Sequence, residues 1–203
     1  MSLATQASWR PLRALLGGQS GVPEQAQIAD LTLDSRTAGP GSAFLAVRGR
    51  RTHGLEFARE AVARGARVVL WEPAPGVAPP DFDADVHVVA VPELGRQAGY
   101  IADRFFAAPS AALCAIGITG TNGKTTCAWL LAQALARQGC ESRYLGTLGS
   151  GRAGELTAGT HTTPDAVALQ RLLGAWRDAG VSHVAMEVSS HALDQDRCAG
   201  VRF

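Results

Sequence analysis

A short apolar run, Leu113 to Ile118, meets the Gly-rich turn Thr119-Gly120-Thr121-Asn122-Gly123 and then Lys124, Thr125 and Thr126. A strand, a loop and a helix in that order aim loop amides and a helix N-terminus at one spot, where backbone donors can hold a polyphosphate. Gly120 and Gly123 allow close approach and positive φ. Lys124 would reach the β- and γ-phosphates, and the Thr125 hydroxyl is placed to ligate the Mg²⁺ that accompanies them. The fit to the general P-loop is incomplete, because Ile118 stands where that pattern asks for Gly. A second polar group closes the apolar run His183 to Val188: Glu187, then Ser189, Ser190 and His191. A carboxylate interrupting an apolar strand is favoured as a metal ligand over a solvated strand end. No Gly-x-Ser-x-Gly turn surrounds either serine, which disfavours nucleophilic hydrolysis. The third cluster is Asp34-Ser35-Arg36, for which a surface ion pair worth about 0–1 kcal/mol is the plain alternative.

These residues need a frame, and hydrophobic spacing supplies one. Strands are expected at Ile28–Leu33, Ser42–Val47, Arg67–Trp71 and Val86–Val91, and helices at Pro11–Leu16, Leu55–Arg64 and Pro92–Phe106, the last with Pro in its first turn. Pro73 to Pro80 reads as a surface loop. A domain break is placed near Pro109, giving units 1–109 and 110–203. In the second, the phosphate loop leads to a helix over Cys127–Gln138 ending at Gly139, a strand over Arg143–Leu148 and a flexible link at Gly149-Ser150-Gly151. Thr163, Pro164 and Asp165 read as N-cap, first position and dipole-favourable acid of a helix ending near Gly180. His183–Val188 is expected to end the sheet as an unpaired strand. Strands alternating with helices imply the α/β class with a mostly parallel sheet, which delivers Glu187 to the edge where such sheets bind ligands.

Composition bounds the partners. The chain has 203 residues, formal net charge +1 and nearly half its residues apolar, enough for one large or two small cores. No apolar run approaches the roughly 18–20 residues that span a bilayer, and Trp9, Arg10 and Arg13 interrupt the N-terminal segment, so the cytoplasm is expected. Near-neutral charge without a basic run gives no electrostatic reason to expect nucleic acid as the partner. Cys114, Cys127, Cys140 and Cys198 form no Cys-x-x-Cys pair, so neither a zinc site nor a disulfide framework is expected. His53, His87 and His183 read as structural.

With these pieces in order, the chain resembles the Mur ligase family, ATP-dependent amide-forming enzymes of peptidoglycan synthesis. Thr119 to Thr126 matches that family's phosphate loop throughout, Ile118 included. Leu33-Asp34-Ser35-Arg36, Pro40 to Val47 and His53-Gly54 are similar to the N-terminal domain of the ligases that add the third or fourth amino acid. His161-Thr162-Thr163-Pro164-Asp165 and Met186 to Leu193 are similar to the branch that adds the third.

The resemblance implies an N-terminal UDP-binding α/β domain followed by an incomplete P-loop-type parallel-sheet ATPase domain. It implies ATP at Gly120, Thr121, Asn122, Gly123, Lys124, Thr125 and Thr126, and Mg²⁺ at Thr125 and Glu187, with Lys124 and Glu187 catalytic. Leu33 and Ser35 resemble uridine-binding positions, and Arg50, Arg51 and Thr52 lie where the family's nucleotide loop sits. Thr162, Thr163, Ser189, Gln195 and Arg197 match positions that hold the muramoyl-dipeptide; the role of His161 stays open. The substrates implied are UDP-MurNAc-L-Ala-D-Glu and a diamino acid, meso-diaminopimelate or L-lysine, acting on a monomer. The expected chemistry phosphorylates the D-glutamyl side-chain carboxylate and lets the amine displace phosphate. The chain stops short of the family's later features and reads as an N-terminal fragment, expected to bind the UDP-sugar weakly and to form no amide. A UDP-sugar-binding module and another ligase of the superfamily remain the alternatives.

Overall fold

The computed structural model describes residues 9–203 apart from Ser20, Arg50 and Thr160. They form two compact units that divide between Ile101 and Ala102.

The first unit opens with strand β1 (Arg10–Pro11), helix α1 (Leu12–Leu15) and strand β2 (Gln27–Ile28), which pairs antiparallel with β1. Next come β3 (Asp30–Thr32), β4 (Ser42–Ala46), β5 (Val68–Trp71) and β6 (His87–Ala90), a four-stranded parallel sheet in chain order. The single strand expected over Ile28–Leu33 is therefore two. Ile28 pairs with Arg10 while Asp30 pairs with Ser42, so the chain changes sheets at Ala29, whose amide bonds the Gly41 carbonyl at 2.9 Å. Alternation along the strands turns Phe44, Ala46 and Val69 toward Leu55, Ala58 and Ala61, the apolar face of a 3₁₀ turn (Gly54–Phe57) and helix α2 (Ala58–Ala63). Gly54 has to be glycine, since a Cβ there would lie 2.7 Å from the Cα of Ala46.

Helix α3 (Leu94–Phe105) starts later than its sequence suggested. Glu93 takes a left-handed φ of 52°, which puts Pro92 outside the first turn; its carbonyl accepts instead from the Gln97 side chain at 2.7 Å.

The second unit is built from β7 (Cys114–Ile118), α4 (Lys124–Arg137), β8 (Ser142–Gly146), β9 (Gly149–Arg152), β10 (Glu155–Thr157), α5 (Ala166–Asp178), β11 (His183–Glu187) and the short α6 (Ser190–Asp194). The sheet order is β10-β9-β8-β11-β7, with β8, β11 and β7 parallel and β9 and β10 antiparallel.

Two expectations are overturned here. Gly149-Ser150-Gly151 is a paired strand and not a flexible link: a Cβ on Gly151, at φ 142°, would lie 2.6 Å from the Glu155 carbonyl, so glycine is what lets the hairpin strands meet. β11 is no unpaired edge either; it lies between β8 and β7 and is bonded on both sides. Helices cover both faces. Ala128 and Ala132 of α4 pack with Tyr144 and Ala185, and Leu169, Leu173 and Trp176 of α5 pack with Leu145, Val184 and Met186. The small alanines let α4 lie close to the sheet and bring its first turn to the C-terminal ends of β7 and β11. No helix among the described residues is long and apolar enough to cross a membrane.

Candidate active site

α4 begins at Lys124, three positions earlier than its apolar pattern indicated, because Gly123 precedes it in a left-handed conformation at φ 77°. Gly120 stands at φ 144°, and side chains are rarely found in either conformation. Between them Thr121 and Asn122 are exposed, as is Thr126 in the first turn of the helix. The Lys124 ammonium folds back over this loop and donates to the Gly120 carbonyl at 2.8 Å and to the Thr121 carbonyl at 3.4 Å. Loop amides, the helix N-terminus and one cation therefore share one spot, an arrangement suited to a polyphosphate.

Beside it sits Glu187, only 1% exposed. Period-two alternation along β11 sends Met186 to the α5 face and Glu187 to the α4 face, where four donors meet its carboxylate. Oε1 accepts from the Tyr144 hydroxyl and from the Thr147 amide at 2.9 Å. Oε2 accepts from the hydroxyls of Thr125 at 2.8 Å and Thr147 at 3.2 Å. Burial alone would push this carboxyl up, but the hydrogen bonds from Tyr144, Thr147 and Thr125 outweigh it and hold the group below its ordinary value. Tyr144 moves the other way, pushed up to about 12 by burial and then by the neighbouring carboxylate.

Glu187 is thus a buried anion with hydroxyls around one oxygen, a hard-oxygen donor set that fits Mg²⁺. Among the described residues no group of three His, Cys, Asp or Glu could cage a metal by itself. That fits an ion held by one carboxylate and one hydroxyl while phosphates supply the rest. Thr147 and Tyr144 were not singled out in the sequence, because what brings them to Glu187 is the pairing of β8 with β11, which leaves no local signal.

A second bonded set runs on from Glu187. Thr163 does not cap α5: Asp165 does, accepting from the amides of Val167 at 3.0 Å and Ala168 at 2.9 Å. The buried Thr163 hydroxyl instead donates to the Glu187 carbonyl at 2.9 Å. Arg197 donates to the Thr163 carbonyl at 3.0 Å and grips the Gln195 side-chain oxygen at 2.6 and 2.9 Å. Ser189 caps α6 through the Ala192 amide at 3.1 Å, and Thr162 meets Thr147 at 3.1 Å. The structure therefore joins Thr125, Thr162, Thr163, Ser189, Gln195, Arg197 and Glu187 in one neighbourhood. His161 lines a cavity of about 150 Å³ beside it, with Leu145, Gly146 and Pro164.

In the first unit the remaining residues lie on the loops after β3 and β4, at the C-terminal edge of the parallel sheet. Leu33 is half-buried; Ser35 is buried and donates to the Glu60 carboxylate at 2.6 Å. That bond comes first among the influences lowering the Glu60 pKa. Arg51 is exposed and the Thr52 carbonyl closes a turn onto the Gly49 amide at 3.1 Å, while Arg50 lies outside the described residues. Arg36 forks onto Asp34 at 2.7 and 2.9 Å in an exposed pair. His53 is structural, accepting from the Leu55 amide at 3.1 Å and facing the Glu72 carbonyl at 2.9 Å.

Comparison with known proteins identifies the family. Residues 27–105 match the catalytic domain of the Mur ligase family and residues 118–203 match the Mur ligase middle domain. A UDP-N-acetylmuramoyl-L-alanyl-D-glutamate–2,6-diaminopimelate ligase of Alkalilimnicola ehrlichii is 51% identical over 182 residues, covering 87% of this chain and 36% of that protein. One of the same name from Ectopseudomonas mendocina is 49% identical over 194 residues, 95% of this chain and 39% of its own length. A solved structure of a ligase with that name superposes with a TM-score of 0.78 at 29% identity, over 95% of this chain and 38% of its own. The MurF ligase of Thermotoga maritima in complex with ADP shares the fold, with a TM-score of 0.52 at 18% identity over 79% of this chain and 32% of its own. The chain thus spans about 36–39% of the length of the curated relatives described.

Proposed function

We propose, from the premise that this chain belongs to the Mur ligase family, that it serves ATP-dependent joining of 2,6-diaminopimelate to UDP-N-acetylmuramoyl-L-alanyl-D-glutamate. The observation that carries the reading is the buried, ionised Glu187 held against Thr125 of the phosphate loop. Gly120 to Thr126 bind the triphosphate of ATP, with the loop amides and the α4 N-terminus meeting its charge. Thr125 and Glu187 would hold Mg²⁺, which offsets charge on the phosphates when bound.

Lys124 exchanges its two loop carbonyls for phosphate oxygens and stabilises the transferred phosphoryl group. The acceptor is the free side-chain carboxylate of the D-glutamyl residue, which becomes an acyl phosphate; the incoming amine then displaces phosphate to leave an amide. Thr162, Thr163, Ser189, Gln195 and Arg197 hold and orient the muramoyl-dipeptide. Leu33, Ser35 and the Arg50-Arg51-Thr52 turn take the uridine diphosphate end. The choice of diaminopimelate is supported by the names of the relatives, which contain 2,6-diaminopimelate. The reading places the reaction in the cytoplasm on a monomer; the free Cys114, Cys127, Cys140 and Cys198 suit a reducing compartment.

A fluorescent ATP analogue titrated into the chain tests the site. Binding is expected to saturate and to weaken by about 10-fold or more in Lys124→Ala, the cost of a lost hydrogen bond between charged groups. In a protein of the relatives' full length carrying this sequence, the same substitution should stop phosphate release in the presence of the dipeptide substrate and diaminopimelate. Normal turnover in that variant would rule the assignment out.

A further inference from the structure

The two oxygens of Glu187 are held differently. Oε1 meets donors that cannot turn away: the Thr147 amide belongs to the backbone, and the Tyr144 hydroxyl is spoken for on both sides. Tyr144 has no exposed surface, its ring meets Trp129 edge-on with centroids 5.3 Å apart, and its oxygen accepts the Leu148 amide at 3.3 Å, so its proton points to Oε1. Oε2 meets only the hydroxyls of Thr125 and Thr147, which can rotate and accept as readily as they donate. Gly146 makes room for the pair, because a Cβ there would lie 2.7 Å from Glu187 Cδ and nearer still to Oε1 and the Tyr144 hydroxyl.

We infer that Tyr144 is a positioning residue for the metal: it ties Oε1 of Glu187 inward and leaves Oε2, beside the Thr125 hydroxyl, as the oxygen presented to a divalent cation. The inference rests on the MgATP reading of the loop proposed above. Phe at position 144 keeps the ring and its packing on Trp129 but leaves Oε1 with the Thr147 amide alone, so the carboxylate can swing.

The test is the ratio of nucleotide affinities with and without Mg²⁺, measured with a fluorescent ATP analogue on the parent chain, Tyr144→Phe and Glu187→Gln. Tyr144→Phe should keep the parent's metal-free affinity and lose about 10-fold of the Mg²⁺-dependent gain, the scale on which partners of a metal ligand act. Glu187→Gln should lose the gain altogether. A merely structural role would lower metal-free binding and thermal stability together. If Tyr144→Phe keeps the parent's Mg²⁺ response while Glu187→Gln loses it, the inference falls and the MgATP reading stands. If Glu187→Gln also keeps the response, the MgATP reading falls and takes the inference with it. One readout needs no substitution at the site: the chain has only two tyrosines, Tyr100 and Tyr144. In 3-fluorotyrosine-labelled protein, assigned with Tyr100→Phe, Mg²⁺ added to the nucleotide complex should move the ¹⁹F signal of Tyr144 and not that of Tyr100; an unmoved Tyr144 signal overturns the inference.

Discussion

Two acidic side chains of the second unit show how partners decide the state of a carboxylate. Glu187 has four donors and stays ionised despite its burial. Asp103 has a buried Oδ1 with no hydrogen-bond partner among the described residues. Burial pushes the Asp103 pKa up, and the pull of Arg202 and Arg104 does not cancel it. An acid whose pKa is raised by folding penalises the folded state wherever it is ionised. The penalty is present above the folded pKa and disappears once the pH falls below the unfolded value of 3.8, where both states are protonated. Asp103→Asn removes the charge and keeps the shape, unpaired Oδ1 included, so only the charge's share of the penalty goes and the protein should gain less than about 1 kcal/mol at pH 7. Urea denaturation at pH 7 and pH 3 checks this: a gain confined to pH 7 is expected, and identical midpoints for parent and variant at pH 7 would sink it.

At the scale of elements, the start of α5 separates what a helix needs from what the site needs. Thr163-Pro164-Asp165 offers two capping side chains, and spacing alone could not choose between them. Asp165 takes the cap, while Thr163 is drawn to the Glu187 carbonyl on a strand far away in sequence. Asp165→Ala should therefore cost about 1 kcal/mol, as lost N-caps do, without altering nucleotide affinity. A shifted urea midpoint with unchanged binding of the ATP analogue is the expected result; unchanged stability would show that the cap is worth nothing here.

The strand–loop–helix of β7 and α4 was legible in the sequence because its signals are local: an apolar run, glycines at the turn, then helical spacing. The β9–β10 hairpin was not, since Gly149, Gly151 and Gly154 hide a strand behind the composition of a linker. Nor was the central place of β11, because strand order is fixed by pairing between distant segments and leaves no periodic trace. The same reason kept Tyr144 and Thr147 out of view, although their target, Glu187, stood out as a charge in an apolar run. In the first unit Ser35 could be picked out, but its bond to Glu60, 25 residues on in the chain, could not.

For the whole molecule, the division into two units bears on where the chain can be cut. The first unit holds a sheet in which β3, β4, β5 and β6 pair only with one another, and its core of Phe44, Ala46, Leu55, Ala58, Ala61 and Val69 draws on strands and helix of that unit alone. The boundary after Ile101 falls inside α3, so a chain ending there would sever the helix that buries Leu94, Ala98 and Ile101. Ending at Pro109, the break chosen from the sequence, keeps α3 whole and follows the left-handed residues Ala107 and Ala108, at φ 58° and 48°, that terminate it. A domain of this size buries about 65% of the surface its unfolded chain exposes, enough for independent stability. Residues 1–109 are therefore expected to fold alone, giving a single cooperative urea transition followed identically by far-UV circular dichroism and by the fluorescence of Trp9 and Trp71. The shorter chain 1–101 should be less stable, since it loses the last turn of α3 and with it the hydrogen bonds that hold Ile101 in place. Non-coincident transitions for 1–109, or equal stability of the two chains, would mean that α3 does not belong to the first unit's core.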